Sequence, residues 1–221
     1  ELKADAQRGV RRQVVVQAKT ATETAADTFF FTVRPESPVR PLPAGARDGI
    51  NYSSDTQVLL VLFAPNKGFV HVVGEFNNWQ ADSASLMNRT PDGNRYWRYV
   101  TVPRGVEQAF AYVVDGTIAV ADPYAEKLLD RNNDRFIPAT TYPNLKPFPA
   151  GAPANASLVS VLQTAQTPYP WKVTNFQRPD PKNMVVYELL VRDFTDARTY
   201  KAVTDSLPYL KRLGINAIEL M

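Results

Sequence analysis

The chain reads as mainly β: an immunoglobulin-like β-sandwich, preceded by a β-segment and followed by a strand–helix–strand unit. Three observations predict this. Short β-branched and aromatic runs recur between turn clusters from Asn51 to about Pro138. Two of them, Ala109–Val114 and Thr117–Ala121, are joined by Asp115 and Gly116 alone, a loop whose positive φ angles those two residue types meet at least cost. After Asn183 the pattern changes to an apolar run, a helical period and a second apolar run.

Taken in order, residues 1–35 form the β-segment, with Gln13–Gln17 and Thr28–Val33 as its strands. Two strands alone are marginal, so the segment is expected to end a larger immunoglobulin-like domain or to be a β-pair packed on the next domain. Residues 36–50, with Pro38, Pro41 and Pro43 after Pro35, suit a semi-rigid extended linker. The sandwich, 51–138, contains Val58–Phe63, Phe69–Gly74, Arg95–Val100 and the Asp115-Gly116 hairpin, with turn clusters at Ala64–Gly68 and Pro91–Asn94. Residues 139–182 lack sustained periodicity and read as a connector. Tyr142, Phe148, Tyr169, Trp171 and Phe176 make it a strap that packs on its neighbours rather than a floppy tether.

In residues 183–221, Met184–Val191 is nearly all apolar, as in a strand buried on both faces. Tyr200–Leu213 has the helical period at Val203, Leu207, Leu210 and Leu213. Pro208 is costly deep inside a helix, and Ser206 as an N-cap with Pro208 in the first turn avoids that cost. Gly214 stops the helix and Ile215–Met221 is the second strand. No Gly-rich phosphate loop accompanies this βαβ unit.

Composition excludes several functions. The 221 residues are 44% hydrophobic and 21% charged, with a formal charge of +3 and basic residues scattered among acidic ones, so nucleic-acid binding is not expected. There is no cysteine and a single histidine, His71, which rules out a disulfide framework, a thiolate metal site or a histidine-based triad within this chain. His71 has no partner in sequence and reads as a satisfied structural residue. Asp193, Asp196 and Asp205 lack the close spacing of a calcium loop, and neither metal nor cofactor is expected. No apolar stretch approaches the roughly 20 residues of a membrane span.

Three stretches carry a family resemblance. Val72–Trp79, followed by Tyr112–Gly116 and Asp122–Ala125, resembles the starch-binding (carbohydrate-binding module family 48-like) sandwich of glycogen branching and debranching enzymes. Met184–Phe194 resembles the first strand of the alpha-amylase (glycoside hydrolase family 13) barrel, and Tyr209–Met221 the end of that barrel's first helix and its second strand. Glu219 is more like the branching and debranching side of the clan. The resemblance implies that 183–221 starts a (β/α)8 barrel, which needs about 250 residues. It implies a retaining mechanism with two carboxylates for the parent protein, whose counterparts are not in this chain, so no catalytic residue is assigned.

For sugar binding the candidates are Trp79, Asn77, Asn78 and Trp97. An indole face stacks on the apolar face of a glucose ring, and Asn77 or Asn78 would hydrogen-bond hydroxyls. Two readings stand for Trp79, since it also suits packing against the connector or barrel. In sugar-binding members the resemblance supplies a second tryptophan after the Asp-Gly turn and a lysine; here those positions hold Ile118 and Ala111. Tyr96 and Trp97 alternate on one strand, so one faces the core and the other outward. Asp122-Pro123-Tyr124 is expected to dock the sandwich on the barrel, with ligand contact as the alternative. Tyr187, Glu188, Arg192 and Asp193 stand at the strand end where active sites of such barrels form, and the charges among them are expected to form ion pairs that hold loops.

These readings lead to one main expectation and its rivals. The chain is expected to be the amino-terminal portion of an alpha-glucan-acting glycoside hydrolase, inactive alone. Its rivals are a non-catalytic glucan-binding or attachment module, a structural spacer, and a branching or debranching enzyme. Expected partners are an alpha-glucan and the rest of the barrel, or another chain, covering 183–221. Substrate polymers too large to import, with the lack of cysteine, suggest a secreted or periplasmic bacterial location.

Overall fold

The structure, a computed structural model, describes residues 11–32 and 35–221, so residues 1–10, 33 and 34 of the expected β-segment lie outside it. The chain divides into two compact units. The first runs to Asp134 and takes in Lys146–Gln166; the second comprises Arg135–Leu145 and Thr167–Met221.

In the first unit, β1 (Arg11–Lys19) and β2 (Thr24–Thr32) pair antiparallel in register Val14↔Phe29. The sandwich follows as β3 (Gly49–Tyr52), β4 (Gln57–Phe63), β5 (Val70–Gly74), β6 (Asn88–Arg89), β7 (Arg95–Thr101), β8 (Gln108–Val114), β9 (Ile118–Val120), β10 (Lys127–Asp130) and β11 (Leu158–Leu162). One sheet has the order β3-β4-β7-β6; the other has β10-β11-β8-β5, with β9 also on β8. Period-two alternation sends Val58, Leu60, Leu62, Tyr96 and Val100 of the first sheet against Val70, Val72, Phe110, Tyr112 and Val114 of the second, and these form one buried core. The predicted hairpin is present, with Asp115 at φ 51° and Gly116 at φ 75°.

The run Val58–Leu62 is apolar throughout because both its faces are covered. Leu59, Val61 and Trp97 point away from the core and pack against Leu42 and Ala46. Residues 36–50 are therefore no linker: Val39 bridges Arg89 in parallel, Arg40 donates its N–H to Arg89 O (2.9 Å), and Arg89 donates to Pro38 O (2.9 Å). Prolines suited to a spacer serve equally well in a docked extended strap. The expected connector, 139–182, needs a second correction, since it contains β11, which pairs with both β8 and β10. Leu158–Leu162 is a short, mostly apolar run, and its pairing partners lie 28 to 54 residues earlier, beyond any local signal.

In the second unit, β12 (Val186–Leu189), α1 (Val191–Phe194), α2 (Tyr200–Arg212) and β13 (Ala217–Leu220) form the expected strand–helix–strand, and β12 and β13 are parallel neighbours in register Val186↔Ala217. The helix start differs from the expectation. Thr199 is the N-cap, accepting from Ala202 N (3.2 Å), and α2 continues through Pro208. Thr204 and Ser206 hydroxyls bond back to Tyr200 O and Ala202 O (both 2.9 Å), contacts that bend a helix and ease the ring past the preceding turn. At the other end Gly214, at φ 83°, donates to Lys211 O (3.0 Å) while Ile215 donates to Leu210 O (3.2 Å), a Schellman stop. Val203 and Leu210 are buried, whereas Leu207 and Leu213 are exposed, as are Met184, Val185, Val186, Leu220 and Met221.

Candidate functional site

The loop leaving β5 carries three of the four candidate residues. Gly74 ends the strand where a Cβ would stand 2.7 Å from Ala109 O and 2.9 Å from Phe110 Cβ, so the crossing of β5 over β8 admits only glycine. Glu75–Asn77 make one 3-10 turn, and Asn78 and Trp79 follow in the left-handed region at φ 52° and 60°. A bulky aromatic residue is rarely found there. The turn holds it: Trp79 N–H reaches Gly74 O at 2.8 Å and Gln80 N–H reaches Asn77 O at 3.1 Å.

Asn77 serves the loop itself. Its Oδ1 accepts from Gly74 N (2.8 Å) and its amide donates to Val72 O (3.0 Å), which leaves little capacity for a sugar hydroxyl. Asn78 is exposed, and its carbonyl accepts from Gln80 Nε2 at 3.2 Å. Trp79 is partly buried, with the five-membered edge of its ring against Gly151: a Cβ there would lie 2.6 Å from Cδ1 and 3.3 Å from Nε1. Glu75 anchors both sides of the loop, accepting from Ala109 N (2.8 Å) and pairing with Lys146 Nζ (3.0 Å).

The structure does not bring Trp97 to this loop. It lies on the outer face of the other sheet, 8% exposed beneath the 36–50 strap, with its Nε1–H on Arg40 O (3.3 Å) and Tyr99 edge-on at 6.1 Å. Tyr96 is the inward partner of the pair, and its hydroxyl donates to Lys67 O. Strand alternation was legible, but the cover over Trp97 was not.

On the second sheet's outer face, an open groove of about 460 Å³ is lined by Phe69, His71, Ala81, Val113, Asp115 and Thr117, with Pro35 at its rim. Ala111, at the position of the family's lysine, is fully buried, and Ile118 is 45% exposed. His71 is 5% exposed. Its Nδ1 lies 2.9 Å from Ser85 Oγ, which also bonds the backbone of Asp82, so the histidine fastens the loop 82–86 to β5. Burial lowers its pKa, and the Arg98 charge adds to this, against the opposing pull of Asp82.

Asp122 is a buried carboxylate, but its oxygens are engaged by Tyr112 Oη (2.7 Å) and Tyr124 N (2.8 Å). Burial raises both the Asp122 and the Tyr112 pKa. The pair locks the strand end and has no opening to a substrate. In the second unit Arg192 and Asp193 form a two-pronged, exposed ion pair (2.8 and 3.1 Å). Among the described residues no group of His, Cys, Asp and Glu has metal-holding geometry, and no helix is long and apolar enough to cross a membrane.

The site is thus a constrained, aromatic-bearing loop at the end of β5 on a two-sheet sandwich. Residues 49–125 match the family model of carbohydrate-binding module 48, the isoamylase N-terminal domain. The chain is 28% identical over 177 residues to the 1,4-alpha-glucan branching enzyme of Cupriavidus pinatubonensis, a match covering 74% of the chain and 22% of the relative. It is 27% identical over 213 residues to the chloroplastic isoamylase SU1 of Zea mays, covering 82% and 24%. The crystal structure of a Group B Streptococcus pullulanase shares the fold at a TM-score of 0.51 and 16% identity, over 89% of this chain and 27% of that one. The resemblance to the sandwich of branching and debranching enzymes, drawn from Val72–Trp79 and the later stretches, is met by the family match and by these two relatives. The chain spans about a quarter of the length of these curated relatives.

Proposed function

We propose that the chain is the accessory sandwich and the first part of the catalytic barrel of an alpha-glucan-acting glycoside hydrolase of the alpha-amylase type. The observation that carries the reading is order: a family 48 module over 49–125 is followed by a parallel β12–α2–β13 unit. In this reading the β1–β2 pair closes an immunoglobulin-like domain, and the exposed apolar strands of the second unit are the seam for the remaining barrel strands. Cleavage then proceeds with retention through two carboxylates carried by those later strands. A branching or debranching activity fits the same frame, as the names of the two relatives indicate. A secreted or periplasmic site of action suits a polymeric substrate.

Within this chain the proposal gives Trp79 the sugar contact. Titration calorimetry with maltoheptaose tests it: Trp79→Ala weakens binding tenfold or more, about 1.4 kcal/mol. The chain alone releases no reducing ends from amylopectin. Unchanged affinity in Trp79→Ala removes the sugar contact, and glycosidic cleavage by the chain alone removes the assignment of the carboxylates to later strands.

A further inference from the structure

Residues 146–156 run past the Trp79 loop and the turn between β8 and β9 without joining the second sheet's hydrogen-bond ladder. They are held by separate clips. Lys146 pairs with Glu75 at 3.0 Å, Gly151 lies on the Trp79 ring, and Asn155 Nδ2 donates to Thr117 O at 2.6 Å. Arg131 donates to Pro153 O (3.0 Å) and Ala156 O (2.9 Å), and its guanidinium stands 4.5 Å over the Phe148 ring. Ala152 and Ala156 are buried, so the segment is packed down along its length. By contrast the Trp79 loop is rigid, fixed by Gly74 and by both ends of the Asn77 amide.

We propose that segment 146–156 is a lid on Trp79: it occupies the ring edge, and a glucan chain binds there once the lid lifts. This rests on the reading that Trp79 contacts sugar. The geometry favours the segment, not the loop, as the moving part. Residues 146–156 carry their own turns, Pro149 O to Ala152 N (3.2 Å) and Pro153 O to Ala156 N (2.9 Å), so they swing as a preformed piece. Their far end is fixed where β11 begins at Leu158, and the Lys146–Glu75 pair is the catch at the near end. The lid keeps the indole edge dry, and sugar competes with Gly151 for the same surface.

The test is a four-way comparison on the 221-residue chain: wild type, Lys146→Ala, Trp79→Ala and the double variant, each titrated with maltoheptaose and each checked for an unchanged thermal midpoint outside the catch. A partly exposed ion pair contributes up to about a fivefold equilibrium factor. Lys146→Ala is therefore expected to bind roughly two- to fivefold tighter, with Trp79→Ala cancelling the gain. Exchange at the Arg131 guanidinium provides the second readout: its N–H groups, which donate to Pro153 O and Ala156 O, exchange faster when maltoheptaose saturates the chain. If Lys146→Ala leaves affinity unchanged, or the Arg131 N–H exchange does not quicken, while Trp79→Ala still abolishes binding, the lid is overturned and the sugar contact survives. If sugar binds equally with and without the Trp79 ring, the sugar contact is overturned and the lid with it. Absence of binding in both wild type and Lys146→Ala overturns both.

Discussion

His71 shows how one buried side chain writes a pH dependence into the sandwich. Its pKa is lowered chiefly by burial, so the folded protein favours the neutral ring, while the unfolded chain takes up a proton near the ordinary value of 6.5. Stability is then flat in this group above that value and falls as pH drops through it towards the lower folded pKa, by at most about 1.4 kcal/mol per pH unit. Urea midpoints at pH 7.5 and 5.5 should differ in wild type and converge in His71→Gln. Because the sequence has one histidine, a single ring-proton resonance reports its titration without assignment. A ring titrating at 6.5 or above contradicts the geometry. Sequence reading took His71 as a satisfied residue, as its bond to Ser85 shows, and ended the strand at Gly74, just ahead of Asn77, Asn78 and Trp79. It could not see that Asn77 turns its amide inward, because the bonds to Gly74 and Val72 depend on the left-handed turn that follows. Nor could it see Gly151 beneath the indole, 72 positions away in a stretch with no periodic signal.

Among the elements, α2 departs from the rule that proline ends a helix. Pro208 removes the N–H that would reach the Thr204 carbonyl, yet the element runs from Tyr200 to Arg212. Its ring faces solvent, and Leu210 beyond it is packed, so burial of the later turn outweighs the lost bond. Pro208→Ala should stabilise the second unit by about 1–3 kcal/mol, read as a higher denaturant midpoint for the far-ultraviolet helix signal. No gain would mean that the bend itself is needed for packing. The strand β4 teaches the converse lesson. Its apolar run was legible, but an unbroken run states only that both faces are covered, and Leu42 and Ala46 are the cover. The strand β11 escaped notice because four apolar residues and a serine within a proline- and alanine-rich stretch carry no sign of partners so far back in the chain.

Across the whole molecule the two units differ in how much they bury. The first holds a core from Val58 to Leu162 drawn from both sheets, whereas in the second Leu189, Val203 and Leu210 are the buried apolar residues among those described. Local stability follows buried apolar contacts. Amides of β12 and β13 should therefore exchange well before those of β4 and β8 in native-state hydrogen exchange, and equal protection would show that the strands of the second unit are covered in solution. The docking of residues 38–46 over Trp97 has a practical corollary. The family match begins at residue 49, but a gene trimmed to that limit would strip Leu42, Ala46 and the Arg40 carbonyl from the indole, leaving a wet aromatic patch on an otherwise sound module. The smallest piece worth expressing starts ahead of Pro38.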